Sequence, residues 1–210
     1  FQVGLNEGDL RWFGAAKAAM LPWWNAPTLP ADGHFVRGLV RQGFHDFAGG
    51  LADFNAAIAL DGQRSAFWSW RFVIHLLVSD MAAARLDCDT MAQRFGAGEG
   101  QACTAVLMYR SGRAAEGAAL LEQAVKRPEF ADSGSQDWLR FHLGEAWRAA
   151  GQPARAIAVW EQHLAQQPRA HSVRLALVEL LNEQRRYADA KRLAAGPNPQ
   201  ASPSDALLVQ

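Results

Sequence analysis

Residues 143–168, LGEAWRAAGQPARAIAVWEQHLAQQP, decide the fold. Apolar and small residues recur every three or four positions on both sides of Gly151-Gln152-Pro153, which predicts two helices joined by a tight turn. Gly144 on the first helix and Ala156 on the second have little or no side chain, so the two helices can cross closely. The proline of the turn suits the first turn of a helix, and Pro168 ends the second helix. The stretch therefore predicts a helical hairpin.

The same layout recurs along the chain with a period near 34 residues, which is typical of a solenoid. Aligning the copies predicts repeats that start near Ala31, Ser65, Gly98, Asp137 and His171. Their first helices are predicted over His34–Gln42, Phe67–Val78, Ala102–Arg110, Trp138–Ala149 and Val173–Glu183. The steps between starts are 34, 33, 39 and 34 residues, and the longer one contains Phe130–Gln136, whose Asp-Ser-Gly-Ser core is typical of a turn. Gly96–Gly100 is predicted to be another turn between repeats.

This register resembles the tetratricopeptide-repeat (TPR) family. The fourth repeat matches best, with Leu143-Gly144 and Trp147 on its first helix and Ala156 and Trp160 on its second. Other repeats match in part: Gly38 and Gly50 stand at the close-packing positions of the first, while Phe72 and Gly117 replace the usual small residue and alanine in the second and third. The resemblance covers about residues 31–197. It implies an all-α, right-handed superhelical solenoid of helix–turn–helix repeats.

Three segments follow from this alignment. Residues 1–30 are predicted to hold a partial repeat or a capping helix over Leu10–Leu21, followed by a Pro/Trp linker, Pro22–Pro30, that its prolines keep extended. Residues 31–197 hold about five repeats, and residues 198–210 form a tail that is expected to be disordered or draped over the array. The partial repeat favours a chain that is a piece of a longer array or of a larger protein.

Composition excludes several classes of function. Lys+Arg and Asp+Glu both number 21, so no net field attracts nucleic acid or an anionic membrane. No run of eighteen apolar residues could span a membrane. The glycines of Gly96–Gly100 are followed by no phosphate-binding lysine, and the six histidines lack zinc-helix spacing. We therefore expect no cofactor, no metal and no enzymatic activity.

The two cysteines leave two interpretations. Cys88 and Cys103 lack metal-ligand spacing, so they are either two small buried hydrophobes or a bridge between neighbouring helices in an oxidising compartment. The sequence leaves the compartment open between cytoplasm and periplasm. Arginine far exceeds lysine and alanine is abundant, a bias associated with GC-rich bacteria.

The TPR resemblance implies that the first helix of each repeat lines a concave groove that holds a peptide. Helical spacing predicts the side chains that face this groove. The predicted groove residues are Phe35, Leu39, Ser69, Val73, Leu76, Val106, Tyr109, Arg110, Trp138, Phe141, Glu145 and Arg148. The groove is predicted to be apolar toward the N-terminal end and mixed in charge toward the C-terminal end, which suits an amphipathic helix or an extended segment with apolar anchors.

The helix over residues 67–78 is apolar on nearly every side, so all its faces should be covered. It either sits in the middle of the core, or its groove side is covered by a partner chain, a second copy of the protein or the linker Pro22–Pro30 with Trp23 and Trp24. In a branch of the TPR family that clamps a C-terminal carboxylate, polar side chains stand where this chain has Phe35, Leu39 and Val73. A clamp of that kind is therefore disfavoured.

These observations predict a protein–protein interaction module that acts as a scaffold or adaptor. Its partner is a protein or peptide segment, and the module could also form a homo-oligomer. The alternative is a structural or self-association domain of a larger bacterial protein, one with an enzymatic or secretion-related role.

Overall fold

The computed structural model describes residues 11–195, and within that range the chain is built of helices and turns with no strand. The contacts divide it into two compact units, with unit 1 ending at Gln101 and unit 2 beginning at Ala102. The predictions for residues 1–10, which include the start of the partial repeat, and for the tail 198–210 lie outside the described residues. The all-α prediction is confirmed for the part of the chain that is described.

Unit 1 is a stack of helical hairpins. Its helices are α1 (Arg11–Met20), α2 (Ala31–Gly43), α3 (Phe47–Leu60), α4 (Ser65–Leu77), α5 (Met81–Phe95) and the beginning of α6 (Ala97–Arg110). Helices α2 and α3 form one hairpin, α4 and α5 form the next, and α3 packs on α4. The linker differs from the extended segment that we expected, because it starts with a 3₁₀ turn over Leu21–Trp23. The proline in that turn has the backbone angle that a helical first turn needs.

Unit 2 continues in the same way. Its helices are the rest of α6, α7 (Ala114–Ala124), α8 (Ser133–Ala149), α9 (Pro153–Gln166), α10 (His171–Glu183) and α11 (Tyr187–Ala194), with a 3₁₀ turn at Pro128–Phe130. Helix α8 contacts α7, α9 and α10. Within each unit the helices therefore stack as consecutive hairpins, as the solenoid prediction requires.

All five first helices start before the residues that the sequence predicted, and the difference is largest for α6 and α8. Helix α8 begins at Ser133, inside the predicted loop, because Asp132 accepts a hydrogen bond from the Ser135 amide at 2.9 Å and caps the helix. Helix α6 begins at Ala97, so that only Gly96, at φ 106°, is a turn residue. A Cβ on Gly100 would lie 2.2 Å from the Ala92 Cβ. Glycine at this position therefore allows α5 and the part of α6 in unit 1 to approach each other closely.

The predicted close-packing positions are confirmed. A Cβ on Gly144 would lie 2.0 Å from the Trp160 ring, and one on Gly38 would lie 2.7 Å from the Phe54 ring. Trp160 is fully buried and Trp147 is nearly so. Gly151 takes a φ of 70° in the turn between α8 and α9, a backbone conformation that glycine adopts without strain.

Buried charges hold the first hairpin of unit 1 together. Asp53 of α3 is 2% exposed and accepts hydrogen bonds from Arg37 and His34 of α2, with His34 Nδ1 at 2.8 Å. Arg41 Nη1 lies 2.9 Å from the second carboxylate oxygen of Asp53. Burial alone would raise the pKa of Asp53, but these hydrogen bonds and charges outweigh it and lower the pKa. The carboxylate is therefore charged and fully paired.

The second hairpin repeats this pairing 34 positions later. Arg71 of α4 donates from Nε to both carboxylate oxygens of Asp87 of α5, each at 3.2 Å, and from Nη2 to one of them. Asp87 is 1% exposed, and Arg71 also donates to Asn55 at 2.7 Å. His75 Nε2 lies 3.7 Å from the same carboxylate. Both hairpins of unit 1 are thus joined by an arginine and an aspartate sixteen residues apart.

Arg37 also holds the linker. Its Nη1 donates to the main-chain carbonyls of Trp23, Trp24 and Ala26 at 2.9 to 3.2 Å. The Trp24 ring faces the cations of Lys17 and Arg41, and the Trp23 ring is 53% exposed. These contacts place the linker on α2 and give no support to the hypothesis that the two tryptophans cover the apolar helix α4.

The apolar side chains of α4 pack in the core. Phe67, Phe72 and Ile74 are almost fully buried, and Trp68 and Leu76 have less than a tenth of their surface exposed. Of the alternatives that the sequence left open, the position in the middle of a core accounts for these five side chains.

The cysteines are buried, as expected of small apolar residues, with 1% of Cys88 and 2% of Cys103 exposed. Neither is a free thiol. The interpretation as two thiols packed in the core is therefore wrong in that respect.

Candidate functional site

In unit 1 the predicted groove residues lie on α2 and α4, which contact each other. Phe35 is half-buried and packs its ring against Phe54 at 5.8 Å and Phe67 at 4.7 Å. Leu39 and Val73 are half-buried too. Part of the surface of each of these three side chains is exposed, and the rest is buried.

Polar and terminal residues of this face contribute less. Ser69 uses its hydroxyl to donate to the Ser65 carbonyl of its own helix at 3.1 Å, and Leu76 is only 6% exposed. The larger apolar surface is at the end of α4, where Leu77 and Val78 are 53% and 45% exposed. These two residues were not predicted, because they follow Leu76, the last position of this helix that helical spacing assigned to the groove.

In unit 2 the corresponding residues lie on α6 and α8. The prediction that Val106 faces the groove is wrong. Its side chain is 0% exposed, so it belongs to the core. Tyr109 is buried at the same face and Arg110 is exposed at the end of α6. Trp138 and Phe141 of α8 are half-buried.

His142, which was not among the predicted groove residues, contacts three of these side chains. The His142 Nδ1 lies 2.8 Å from the Tyr109 hydroxyl, and the two groups are hydrogen-bonded. The His142 ring lies edge-on to Trp138 at 4.4 Å and to Phe141 at 5.0 Å. We call Tyr109, Trp138, Phe141 and His142 the aromatic cluster. It is a partly exposed aromatic surface with one internal hydrogen bond.

The groups of that link are neutral. Burial, together with a smaller effect of the charge of Arg110, lowers the pKa of His142 to about 3. Burial raises the pKa of Tyr109 to about 12, although Arg110 opposes the shift. A neutral imidazole and a neutral phenol therefore share the hydrogen bond near pH 7, and the aromatic cluster carries no charge of its own.

Beside the aromatic cluster, three carboxylates surround one guanidinium. Arg148 Nη1 lies 3.3 Å from Glu145 of α8 and 3.8 Å from Glu179 of α10, and Nη2 donates to Glu183. We call these four residues the charge cluster. Burial raises the pKa of Glu145 and Arg148 opposes that shift, while Glu179 and Glu183 add to it by repulsion. The sequence predicted Glu145 and Arg148 at this face, and the structure brings both to α10.

Unit 2 also contains a cavity of about 430 Å³ at its last hairpin. Its lining combines leucines with arginines and two acidic residues: Glu161, Leu164, Arg174, Leu177, Leu181, Arg186, Asp189, Arg192 and Leu193. No predicted groove residue lines it. Helix α10 contacts α8, α9 and α11, and α11 is only eight residues long.

The described part of the chain shows neither a candidate metal-binding group nor a candidate membrane-spanning helix. Residues 11–195 contain no group of three or more His, Cys, Asp or Glu that could hold a metal ion. None of the helices α1–α11 is both long and apolar enough to cross a lipid bilayer.

Comparisons with known proteins support the fold. No protein-family model matches the sequence, and no curated protein matches it either. A thermophilic TPR protein of Thermus thermophilus has a similar structure, with a TM-score of 0.68 and 19% identity over 85% of this chain and 94% of that one. A tetratricopeptide-repeat protein of Parabacteroides merdae aligns with a TM-score of 0.55 and 14% identity over 92% of this chain and 74% of that one. At such low identities the similarity shows the fold alone.

Proposed function

We propose, from the tetratricopeptide-repeat fold of this chain, that it is a protein-interaction scaffold whose first helices hold a segment of a partner protein. The observation that carries the proposal is the aromatic cluster of unit 2. Its rings are fixed by contacts of 4.4 to 5.9 Å and by the bond between Tyr109 and His142, yet Trp138 and Phe141 keep part of their surface exposed. Rigid, partly exposed aromatic side chains are typical anchors of protein interfaces.

Unit 1 supports the same role with a different surface. Phe35, Leu39 and Val73 are aliphatic and aromatic side chains that the core already holds in place. Because the receptor side chains are ordered before a partner binds, little of the binding free energy is lost in ordering them. The function therefore depends on preorganised surfaces rather than on any catalytic group.

The proposal is tested by selecting peptides from a library of about twelve random residues, displayed on phage, against the immobilised chain; such peptides are long enough to cross two helices. Synthetic fluorescent copies of the enriched peptides are then titrated with the purified chain. We expect Trp138→Ala with Phe141→Ala to weaken binding about tenfold or more, because aromatic anchors carry a large share of interface energy.

The matched control is Tyr187→Ala. This side chain is a large aromatic that is 62% exposed on α11, a second helix of its hairpin. Its removal should leave the affinity unchanged, and circular dichroism confirms that each variant is folded. A selection that enriches no peptide, or peptides that bind equally to the Trp138/Phe141 double variant, contradicts the proposal.

A further inference from the structure

The cavity at the last hairpin of unit 2 contains a buried arginine. Arg174 of α10 lines this cavity and is only 8% exposed. Its Nη2 donates a hydrogen bond to the main-chain carbonyl of Pro168, and no carboxylate of residues 11–195 forms an ion pair with it. A buried guanidinium is costly unless an anion pairs with it. An anionic group beside Arg174 would therefore stabilise this end of unit 2.

The other charges of the cavity are nearly balanced. Asp189 of α11 accepts hydrogen bonds from Arg186, at 2.7 Å, and from Arg192. These two contacts lower the pKa of Asp189, which is therefore charged. With Arg174 and Glu161 included, the lining holds three arginines and two carboxylates, so one positive charge is in excess. The cavity therefore favours an acidic ligand over a basic one.

Leucines form the apolar part of the lining. Leu177 and Leu181 of α10 are 1% and 2% exposed, while Leu164 of α9 and Leu193 of α11 are half-buried. The cavity volume of about 430 Å³ lies within the range of ligand pockets, about 300 to 1,000 Å³. A ligand that fits this cavity has a carboxylate and, beside it, aliphatic side chains.

The sequence that follows the described residues has this composition. Residues 196–210 contain one charged residue, Asp205, and the apolar run 206–209 (Ala-Leu-Leu-Val) follows it directly. Leu193, which lines the cavity, lies two positions before the end of the described residues. Residues 196–204 can span up to about 30 Å when extended. This length is enough to bring Asp205 back to the cavity.

We propose that residues 205–209 dock in this cavity of the same chain. The carboxylate of Asp205 pairs with Arg174, and the side chains of Leu207 and Leu208 pack against the leucines of the lining. A short flexible connection keeps the attached segment at an effective concentration on the order of 1 mM, which favours it over a free peptide. The cavity shares no residue with the aromatic cluster, so this inference is independent of the proposed function.

Hydrogen exchange of the full chain tests whether the segment is docked. Leu207→Ser with Leu208→Ser removes the apolar contacts, so the amides of α11 should exchange about tenfold faster than in the parent. Asn198→Ser with Gln200→Ser is the matched control, because it changes the sequence before the docking segment and should leave the exchange unchanged. Equal exchange of α11 in the parent and in the leucine double variant overturns the proposal.

A synthetic peptide tests whether the segment occupies the cavity. A fluorescent peptide of residues 204–210, blocked at both ends, carries only the charge of Asp205. It should bind the leucine double variant, and it should bind the parent about tenfold more weakly or worse, because the attached segment competes with it. Equal binding to both chains, or binding to neither, overturns the proposal.

Changes in the peptide test the ion pair. Asp205→Asn in the peptide should weaken binding to the leucine double variant, but not when that variant also carries Arg174→Met. Circular dichroism checks that the Arg174→Met chain is folded. A peptide with Asp205→Arg needs no further change in the chain and should bind the leucine double variant about tenfold more weakly or worse, since it meets like charge. Equal affinity of the Asp205→Arg peptide and the original one overturns the proposal.

The concentration of the chain distinguishes the same chain from a second copy. A segment that docks in its own chain protects α11 equally at all concentrations. Protection that falls when the parent is diluted would place the segment in a second copy and overturn the proposal.

Discussion

The hairpins of unit 1 and unit 2 fill the same positions with different chemistry. In unit 1 the residue before Gly38 is Arg37, and it pairs with Asp53. In unit 2 the residue before Gly144 is Leu143, and Val159 stands where Asp53 would be. The pair of Arg37 and Asp53 joins a first helix to a second helix, and the two apolar residues stand at the corresponding positions. The difference teaches that the hairpin geometry accepts either an ion pair or apolar side chains, provided that each charge has a partner.

The two solutions respond differently to single changes. A buried ion pair contributes little net stability, because desolvation offsets most of the attraction, but removal of one partner leaves an unpaired charge. An apolar pair loses only transfer and packing energy when it is trimmed. Unit 1 should therefore be the more sensitive unit to single substitutions at these positions.

The largest effect is expected for Asp53→Ala. It leaves Arg37 and Arg41 without their carboxylate and should lower the free energy of unfolding by about 3 to 5 kcal/mol. The control Val159→Ala at the same position of unit 2 should cost about 1 kcal/mol, because the side chain is half-exposed. Urea titration gives both values, and equal losses would contradict the comparison.

A smaller effect is expected for Gly144→Ala. The new Cβ would lie 2.0 Å from Trp160, so the hairpin must shift, at a cost of about 1 to 3 kcal/mol. Gly14→Ala is the control, because a Cβ there meets nothing within 4 Å on an exposed helix, and alanine should be neutral or stabilise by up to about 1 kcal/mol. If thermal unfolding of the two variants shifted alike, the close crossing would not limit unit 2.

The next largest effect is expected for a change of pH, which should lower the stability of unit 2 more than that of unit 1. The folded pKa of His142 is about 3, below its unfolded value near 6.5, so the unfolded chain takes up a proton first as the pH falls. Unit 2 should therefore lose about 2 kcal/mol of stability between pH 7 and pH 5. The lowered pKa of Asp53 adds nothing in this window, because its contribution is lost only below its unfolded value of 3.8.

Hydrogen exchange of α8 and α2 at both pH values measures this difference. His142→Phe keeps an aromatic ring at this position and removes the titrating group. Helix α8 of this variant should therefore lose less protection on acidification than α8 of the parent. If α8 of this variant shows the same pH dependence as the parent, His142 is not the cause.

The smallest effect is expected when the second hairpin of unit 1 is converted to the chemistry of unit 2. Arg71→Leu with Asp87→Val removes both charges together and should change the free energy of unfolding by only about 1 kcal/mol in either direction. Asp87→Ala alone should cost about 3 to 5 kcal/mol. A double variant as unstable as the single one would show that apolar side chains cannot replace the ion pair there.

Sequence alone predicted most of the fold, because the signals were local. The turn at Gly151 and the close contact of Gly144 with Trp160 follow from residue types at fixed spacing within one hairpin. The ion pairs were not predicted, although Arg37 and Asp53 recur as Arg71 and Asp87 at the repeat period. A charged residue on a helix ordinarily indicates a solvated face, and only the packed hairpin shows that these are buried.

The candidate site was predicted less well. Helical spacing found Trp138, Phe141 and Glu145 but passed over His142, whose contact with Tyr109 depends on how α6 and α8 approach each other. The same projection assigned Val106 to a surface, although its helix turns that position into the core. Side-chain spacing along one helix fixes a face, but the neighbouring helices decide how much of it stays exposed.

The hydrogen bonds from Arg37 to the linker determine which substitutions the linker tolerates. Its three acceptors are main-chain carbonyls, so the guanidinium recognises the path of the backbone rather than the identity of the side chains. Tryptophan at position 23 or 24 could be exchanged for other residues while the hydrogen bonds persist. A change that straightens the turn would release them, however conservative the new side chain.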